Sequence, residues 1–201
     1  RVLPVVGGLA GRIGVPISVD TYKAGVARAV LDAGAAIIND VSGLRYDPAL
    51  GLVAAERRAA LILMHTRGRS KTMYAEAEYD DLMGEIADEL GASVAAATAA
   101  GVPIDRVIVD PGVGFAKRPV HSYGVLARLA TLASLVGRPL LVGPSRKSFL
   151  RGAVGERPPA GRDWGTAAAV TAAVLAGAHI VRVHAVAEMA PVADLICGKC
   201  H

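Results

Sequence analysis

Short apolar runs alternate with longer alanine-rich stretches along the whole chain, and this rhythm constrains the fold more than any single motif. The strand candidates are residues 16–20 (PISVD), 36–40 (AIIND), 60–65 (ALILMH), 106–111 (RVIVDP), 139–143 (PLLVG) and 179–184 (HIVRVH). The stretches between them have helical spacing: Lys23 to Ala33, Pro48 to Arg58, Asp80 to Ala100, His121 to Val136, Trp164 to Ala176 and Ala187 to Ile196. A further helix is expected from about Lys147, and Arg1 to Ala10 reads as the remains of another. Gly34, Gly101, Gly137 and Gly177 stand where four of the helices should stop. Repeated βα units imply a parallel sheet with right-handed crossovers. The free loops are expected at Thr66 to Glu78 and Gly152 to Asp163.

Composition narrows the function. Hydrophobic residues make up 53% of the 201, which fits strands buried on both faces. Aromatic residues are only 4%, which argues against base stacking, and a net charge of +4 with interleaved signs suits small anionic substrates rather than nucleic acid. The longest uncharged run, Gly165 to Val181, is broken by Gly177 and His179, so no membrane span is expected. The opening residues do not read as a signal peptide, and the missing initial Met suggests that the gene begins earlier. Both cysteines lie in the terminal CGKCH run, Cys197 to His201. The run matches a haem-attachment spacing, but nothing else in the chain supports haem, and a chance match is expected.

The strand candidates hand over polar residues at their C-terminal ends: Asp20, Asn39 with Asp40, His65 after Met64, Asp110, the cluster Ser145–Ser148, and Arg182 with His184. In parallel α/β barrels those ends carry the active site. Lys147 and Ser148, at a strand-to-helix turn, would receive an anion or carbonyl, although a helix cap explains Ser148 equally well. Asp110 precedes a tight turn with Gly112 and Gly114. It could accept a pair of N–H groups from a heterocycle edge, or serve as a local turn acceptor. Asn39 can read a mixed donor–acceptor edge, Asp20 either that or a helix cap, and Met64 offers an apolar face or simply fills the core. Arg182 and His184 alternate on one strand, with Arg suited to phosphate and His to a leaving oxyanion. Arg146 reads as a salt-bridged neighbour.

SVDTYKAGVA, INDVSGL, LMH, VDPGVGFAK, LLVGPSRKSF and RVH occur in an order and spacing that resemble the dihydropteroate synthases. The resemblance covers nearly the whole chain. It implies a TIM (β/α)₈ barrel, with six of the eight βα units present, in a single pterin-binding domain over 1–201 that is incomplete at its N-terminus. It implies condensation of 6-hydroxymethyl-7,8-dihydropterin diphosphate with 4-aminobenzoate in folate biosynthesis, with Mg²⁺ on the substrate diphosphate and no metal held by the protein alone. It further implies inhibition by sulfonamides, a cytoplasmic homodimer, and no nucleic-acid or membrane partner. By residue, it places Asp20, Asn39, Met64, Asp110, Lys147 and Arg182 at the pterin. Phe115 and Ser148 fall at the aminobenzoate, and Arg182 and His184 at the diphosphate. Lys147, Arg182, His184 and Asp110 form the catalytic set.

The chain departs from the family's pattern in places. The two earlier strands and their loops are not seen, Ala185 stands where Asp is usual, and Ser122 where Asn is common. The alternatives are a pterin-binding methyltransferase domain of a corrinoid system and a non-catalytic fragment.

Overall fold

The architecture, taken from a computed structural model, is described for residues 1–69, 72–75 and 77–198. Of the CGKCH run, only Cys197 and Gly198 fall within the described residues; Cys197 is exposed and forms no disulfide. Six strands occur among the described residues: β1 (Ser18–Asp20), β2 (Ile37–Asp40), β3 (Ala60–Met64), β4 (Val107–Asp110), β5 (Leu141–Val142) and β6 (Ile180–Val181). The first four form one sheet in the order β1-β2-β3-β4, and β5 pairs with β6 in a second. Pairing is parallel for β1 with β2, β2 with β3, and β5 with β6. The fold is therefore α/β with parallel sheets.

The chain divides into two compact units, the first comprising Arg1–His65 and Asp88–Val109, the second Thr66–Ala87 and Asp110–His201. In the first unit, helices α1 (Leu3–Leu9), α2 (Ala24–Asp32) and α3 (Ala49–Glu56) accompany β1 to β3. Helix α4 (Leu82–Ala99) starts in the second unit and ends in the first. Ile38, Leu50, Leu61, Leu63 and Ala97 are fully buried in one apolar cluster, which is the core of the first unit. Ile38 and Leu61 are register partners on neighbouring strands, so sheet pairing and core packing select the same alignment.

The second unit contains α5 (Pro119–Ala127), α6 (Leu129–Val136), α7 (Arg151–Val154), α8 (Asp163–Leu175) and α9 (Val186–Ile196). The single helix expected from His121 to Val136 is two. Arg128 leaves helical geometry at φ −116° and ψ 24°, and beyond it Leu129 and Leu132 are fully buried. The helix expected from Lys147 is one 3₁₀ turn, Ser148–Leu150, followed by the four residues of α7, which stop at Gly155 with φ +78°. Gly152 to Asp163 is not a free loop either. It includes α7 and a second 3₁₀ turn, Pro159–Arg162, and the buried Arg162 donates to the carbonyls of Arg157 and Arg146.

Gly34, Gly101, Gly137 and Gly177 all adopt positive φ at helix ends, as their spacing predicts. Two of them differ in surroundings. A Cβ on Gly137 would meet nothing within 4 Å, whereas one on Gly34 would lie 2.6 Å from the Cβ of Ala10. Gly137→Ala should therefore lose only the left-handed cost, about 1 kcal/mol. Gly34→Ala should lose clearly more, because helix α1 must also move, and urea denaturation of the two variants measures the difference.

Candidate functional site

In the first unit, the register aligns Asp20 with Asn39 and Asn39 with Ile62. Aligned residues of parallel strands share a face, and Met64, two residues beyond Ile62, lies on that same face. Asp20 is exposed, while Asn39 and Met64 are each 1% exposed. Asp20 is not used as the cap of α2. The backbone N–H of Ala24 instead donates to Asp47 Oδ2 at 2.7 Å. Beside Asp20, a hollow of about 300 Å³ is lined by Asp20, Thr21, Tyr22, Lys23 and Val41.

Asn39 is held in place by the segment after it. Asp40, on the opposite face, accepts from the backbone of Ser42 at 2.8 Å, from the Ser42 hydroxyl at 2.7 Å and from the backbone of Leu44 at 2.7 Å. These bonds fold the DVSGL segment into a compact loop in which Leu44 takes φ +67°. His65 is buried with Nε2 3.2 Å from Glu89 Oε2, an internal pair that gives it a structural place.

In the second unit, Asp110 is fully buried and divides its two oxygens. Oδ1 accepts from the backbone N–H of Gly112 at 2.7 Å, and Oδ2 accepts from Arg182 Nη2 at 2.9 Å. Of the two readings of Asp110, the local turn acceptor thus occupies one oxygen only. The Arg182 guanidinium lies against the backbone of Gly143, where an added Cβ would be 2.9 Å from Nη2. Gly143 is thus small because an arginine crosses it. Lys147 Nζ donates to the carbonyl of Val113 at 2.6 Å and sits 4.5 Å from the centroid of the Phe115 ring. Asp110, Arg182, Lys147 and Phe115 are therefore gathered around one turn.

Burial drives Lys147 from the ordinary lysine value of 10.5 down to about 8; Asp110 works against this shift and Arg182 adds to it. The residue as a whole keeps some solvent exposure, but its ammonium is the enclosed part, between a carbonyl and a ring.

Arg182 and His184 do not share a strand face, because β6 ends at Val181. Pairing extends one residue further through the bond from Arg182 N to Val142 O, and then the chain turns away. His184 is exposed and meets Ser145. Its backbone N–H donates to Ser145 Oγ at 3.1 Å, and its Nδ1 lies 2.9 Å from the same oxygen. In the tautomer with the ring proton on Nε2, Ser145 donates to Nδ1. Ser148 is exposed at the start of a 3₁₀ turn with no side-chain cap bond. The expected helix-terminal receptor at Lys147 and Ser148 is thereby reduced to a single turn. Arg146 forms the expected salt bridge, with both Nε and Nη2 at 2.8 Å from Asp163.

Sequence reading missed Lys117. It is 1% exposed, and its Nζ donates to the carbonyl of Phe115 at 3.2 Å. A lone lysine after a glycine-rich turn looks like a solvated charge, and only its neighbours in space show otherwise. Tyr79 is equally unmarked in the sequence, yet its hydroxyl donates to the carbonyl of Ala116 at 2.8 Å.

A family model described as "Pterin binding enzyme" matches residues 1–184, which sets the class. The dihydropteroate synthase of Synechocystis sp. is 43% identical over 199 residues, covering 98% of this chain and 68% of that protein. The dihydropteroate synthase of Bacillus subtilis is 42% identical over 196 residues, covering 98% and 66% respectively. The chain thus spans about two thirds of the length of these curated relatives. Among solved structures, the Yersinia pestis dihydropteroate synthase in complex with a sulfonamide drug matches with a TM-score of 0.93 at 38% identity, covering 99% of this chain and 71% of that one. The chain belongs to the dihydropteroate synthase family of pterin-binding enzymes.

The Lys147 ammonium gives a pH test. Below about pH 8 both folded and unfolded chains hold the proton, and the burial cost is felt in full. Between about 8 and 10.5 the unfolded chain holds it more than the folded one, so this group makes stability rise with pH. Urea midpoints of the wild type and Lys147→Met across that window should diverge, with the rise attributable to Lys147 missing from the variant.

Proposed function

We propose that this chain carries dihydropteroate synthase activity, joining 6-hydroxymethyl-7,8-dihydropterin diphosphate to 4-aminobenzoate with release of diphosphate. The observation that carries the reading is the buried Asp110 carboxylate with Arg182 and Lys147 beside it, in a chain 43% identical to a dihydropteroate synthase. The same relatives favour this transferase over a corrinoid methyltransferase domain. The proposal includes a (β/α)₈ barrel to which these βα units belong, in one pterin-binding domain. It also includes a cytoplasmic homodimer acting on small molecules alone, a point that rests on the family resemblance. No helix among the described residues is long and apolar enough to cross a membrane.

In this reading Asp20, Asn39 and Asp110 bind the polar edges of the pterin. Asp110 is suited to the task because a fully buried carboxylate makes strong bonds to N–H groups. Met64 and the Arg182 stem supply apolar faces for the ring, and Lys147 donates to its carbonyl side. Phe115 and Ser148 meet the aminobenzoate, with Ser148 at the carboxylate. Arg182 and His184 hold the diphosphate, His184 through its Nε2 proton in the tautomer where Ser145 donates to Nδ1.

The chemistry is substitution at the exocyclic methylene of the pterin. The C–O bond breaks and its electron pair leaves on diphosphate, while positive charge spreads into the ring under the influence of Asp110 and Asp20. The aniline nitrogen gives its lone pair to the same carbon, forming the C–N bond, and then loses a proton. No protein nucleophile is needed; positioning and charge stabilisation suffice. Mg²⁺ would neutralise charge on the leaving diphosphate. It would come with the substrate, since Mg²⁺ is commonly held through substrate phosphates.

Two substitutions test the assignment. Asp110→Ala should weaken dihydropterin binding by about 1–3 kcal/mol or more while the chain stays folded. Unchanged affinity by calorimetry would remove Asp110 from the site. Ser148→Ala should raise the KM for 4-aminobenzoate in a diphosphate-release assay and leave dihydropterin affinity alone. An equal loss for both substrates would reassign the serine.

A further inference from the structure

Residues Gly112 to Lys117 form no helix or strand, and three of them take left-handed backbone angles: Gly112 at φ +65°, Gly114 at +79° and Ala116 at +46°. Ala116 is not a glycine and is fully buried, so its conformation carries a steric cost that surrounding contacts must offset. Backbone groups of such a segment cannot satisfy one another through a regular ladder and need side-chain partners.

The partners are present in sequence order. The carbonyls of Val113, Gly114, Phe115 and Ala116 accept from Lys147 Nζ (2.6 Å), Tyr74 OH (3.3 Å), Lys117 Nζ (3.2 Å) and Tyr79 OH (2.8 Å). On the donor side, the N–H of Gly114 is accepted by Ser122 Oγ at 3.0 Å, and Gly112 and Phe115 are bonded to Asp110 and Gly112. Four consecutive carbonyls are thus each held by a different side chain.

Three of these four donors, Tyr74, Lys117 and Tyr79, have no place in the proposed chemistry; Tyr74 is exposed, and the other two are more enclosed. Lys117 is a buried cation, costly to enclose, and its ammonium lies 5.9 Å from the centroid of the Tyr79 ring. Tyr79 in turn anchors Ala116, the residue with the least tolerable backbone angle. Together they brace the two peptide groups that follow the Phe115 side chain, through the carbonyls of Phe115 and Ala116.

We propose that Tyr79 and Lys117 are positioning residues that fix the Phe115 ring and so set the affinity for the arylamine substrate, resting on the proposed contact of Phe115 with 4-aminobenzoate. Removing either donor frees a carbonyl, lets the 114–117 backbone relax and moves the ring, while the bonds of Asp110 to Gly112 and of Lys147 to Val113 are left in place.

The test compares Tyr79→Phe, Lys117→Met and Phe115→Ala by steady-state kinetics, dihydropterin calorimetry and amide hydrogen exchange. Tyr79→Phe loses a single hydroxyl and should raise the KM for 4-aminobenzoate about fivefold to tenfold, from the loss of one buried hydrogen bond. Its kcat and dihydropterin Kd should stay within about twofold, and exchange at Gly114 to Lys117 should quicken. Lys117→Met should act in the same direction; should it fail to fold, Tyr79→Phe decides alone. A KM for 4-aminobenzoate that rises in Phe115→Ala but not in Tyr79→Phe overturns the brace while leaving the site reading intact. An unchanged KM in Phe115→Ala overturns the placement of Phe115 itself, and the proposal with it. A parallel loss for both substrates also overturns it, since that is what general destabilisation would give.

Discussion

The buried carboxylate of Asp110 governs the arrangement around it. A carboxylate removed from water must be bonded on both oxygens, and here one oxygen shapes a turn while the other orients an arginine. The bond to Gly112 starts the left-handed segment that carries Phe115. The bond to Arg182 draws that side chain across Gly143, which has no Cβ to obstruct it. Lys147 completes the group by reaching the same turn at Val113, the residue after Gly112. One acidic group thus fixes three elements distant in sequence, and the enclosure that results is also what depresses the Lys147 pKa to about 8.

Strained turns follow three of the strands that carry candidate site residues, β2, β4 and β5. Arg146, just before Lys147, takes φ +59°, a region costly for any side chain. Its N–H donates to Thr166 Oγ1, its carbonyl accepts from Arg162, and its guanidinium is paired with Asp163. Leu44, at φ +67° beyond Asn39, is held by Asp40. Ala116 is held by Tyr79. In each case a polar side chain of the same unit, close in sequence for Leu44 and distant for Ala116 and Arg146, keeps a turn that local preference would not choose. Rigid turns of this kind present side chains without the entropy cost of ordering them on binding.

Much of this was legible from the residues alone. The short, continuous apolar runs and glycine-terminated helices identified the strands to within a few residues, because strands of a parallel sheet are buried on both faces. Polar residues at strand ends marked Asp20, Asn39, Asp110, Lys147 and Arg182, since nothing in a core calls for them there. Helix length was less legible. Arg128 divides one helical pattern into two helices, and α7 stops after four residues, as packing and glycine placement override propensity.

Sequence by itself determined the βα order, the family motifs and the kinds of side chain at the strand ends, because these depend on spacing along the chain. Only the tertiary structure decided what each polar group does with its hydrogen bonds. Asp110 could have been a turn acceptor or a ligand group, and it has one oxygen on a turn and the other on Arg182. His184 is expected beside Arg182 and instead meets Ser145. Lys117, which nothing in the sequence singles out, is buried with its Nζ on the Phe115 carbonyl. The physical reason is common to all three. A buried polar group must find partners in space, and those partners come from residues that sequence spacing does not relate.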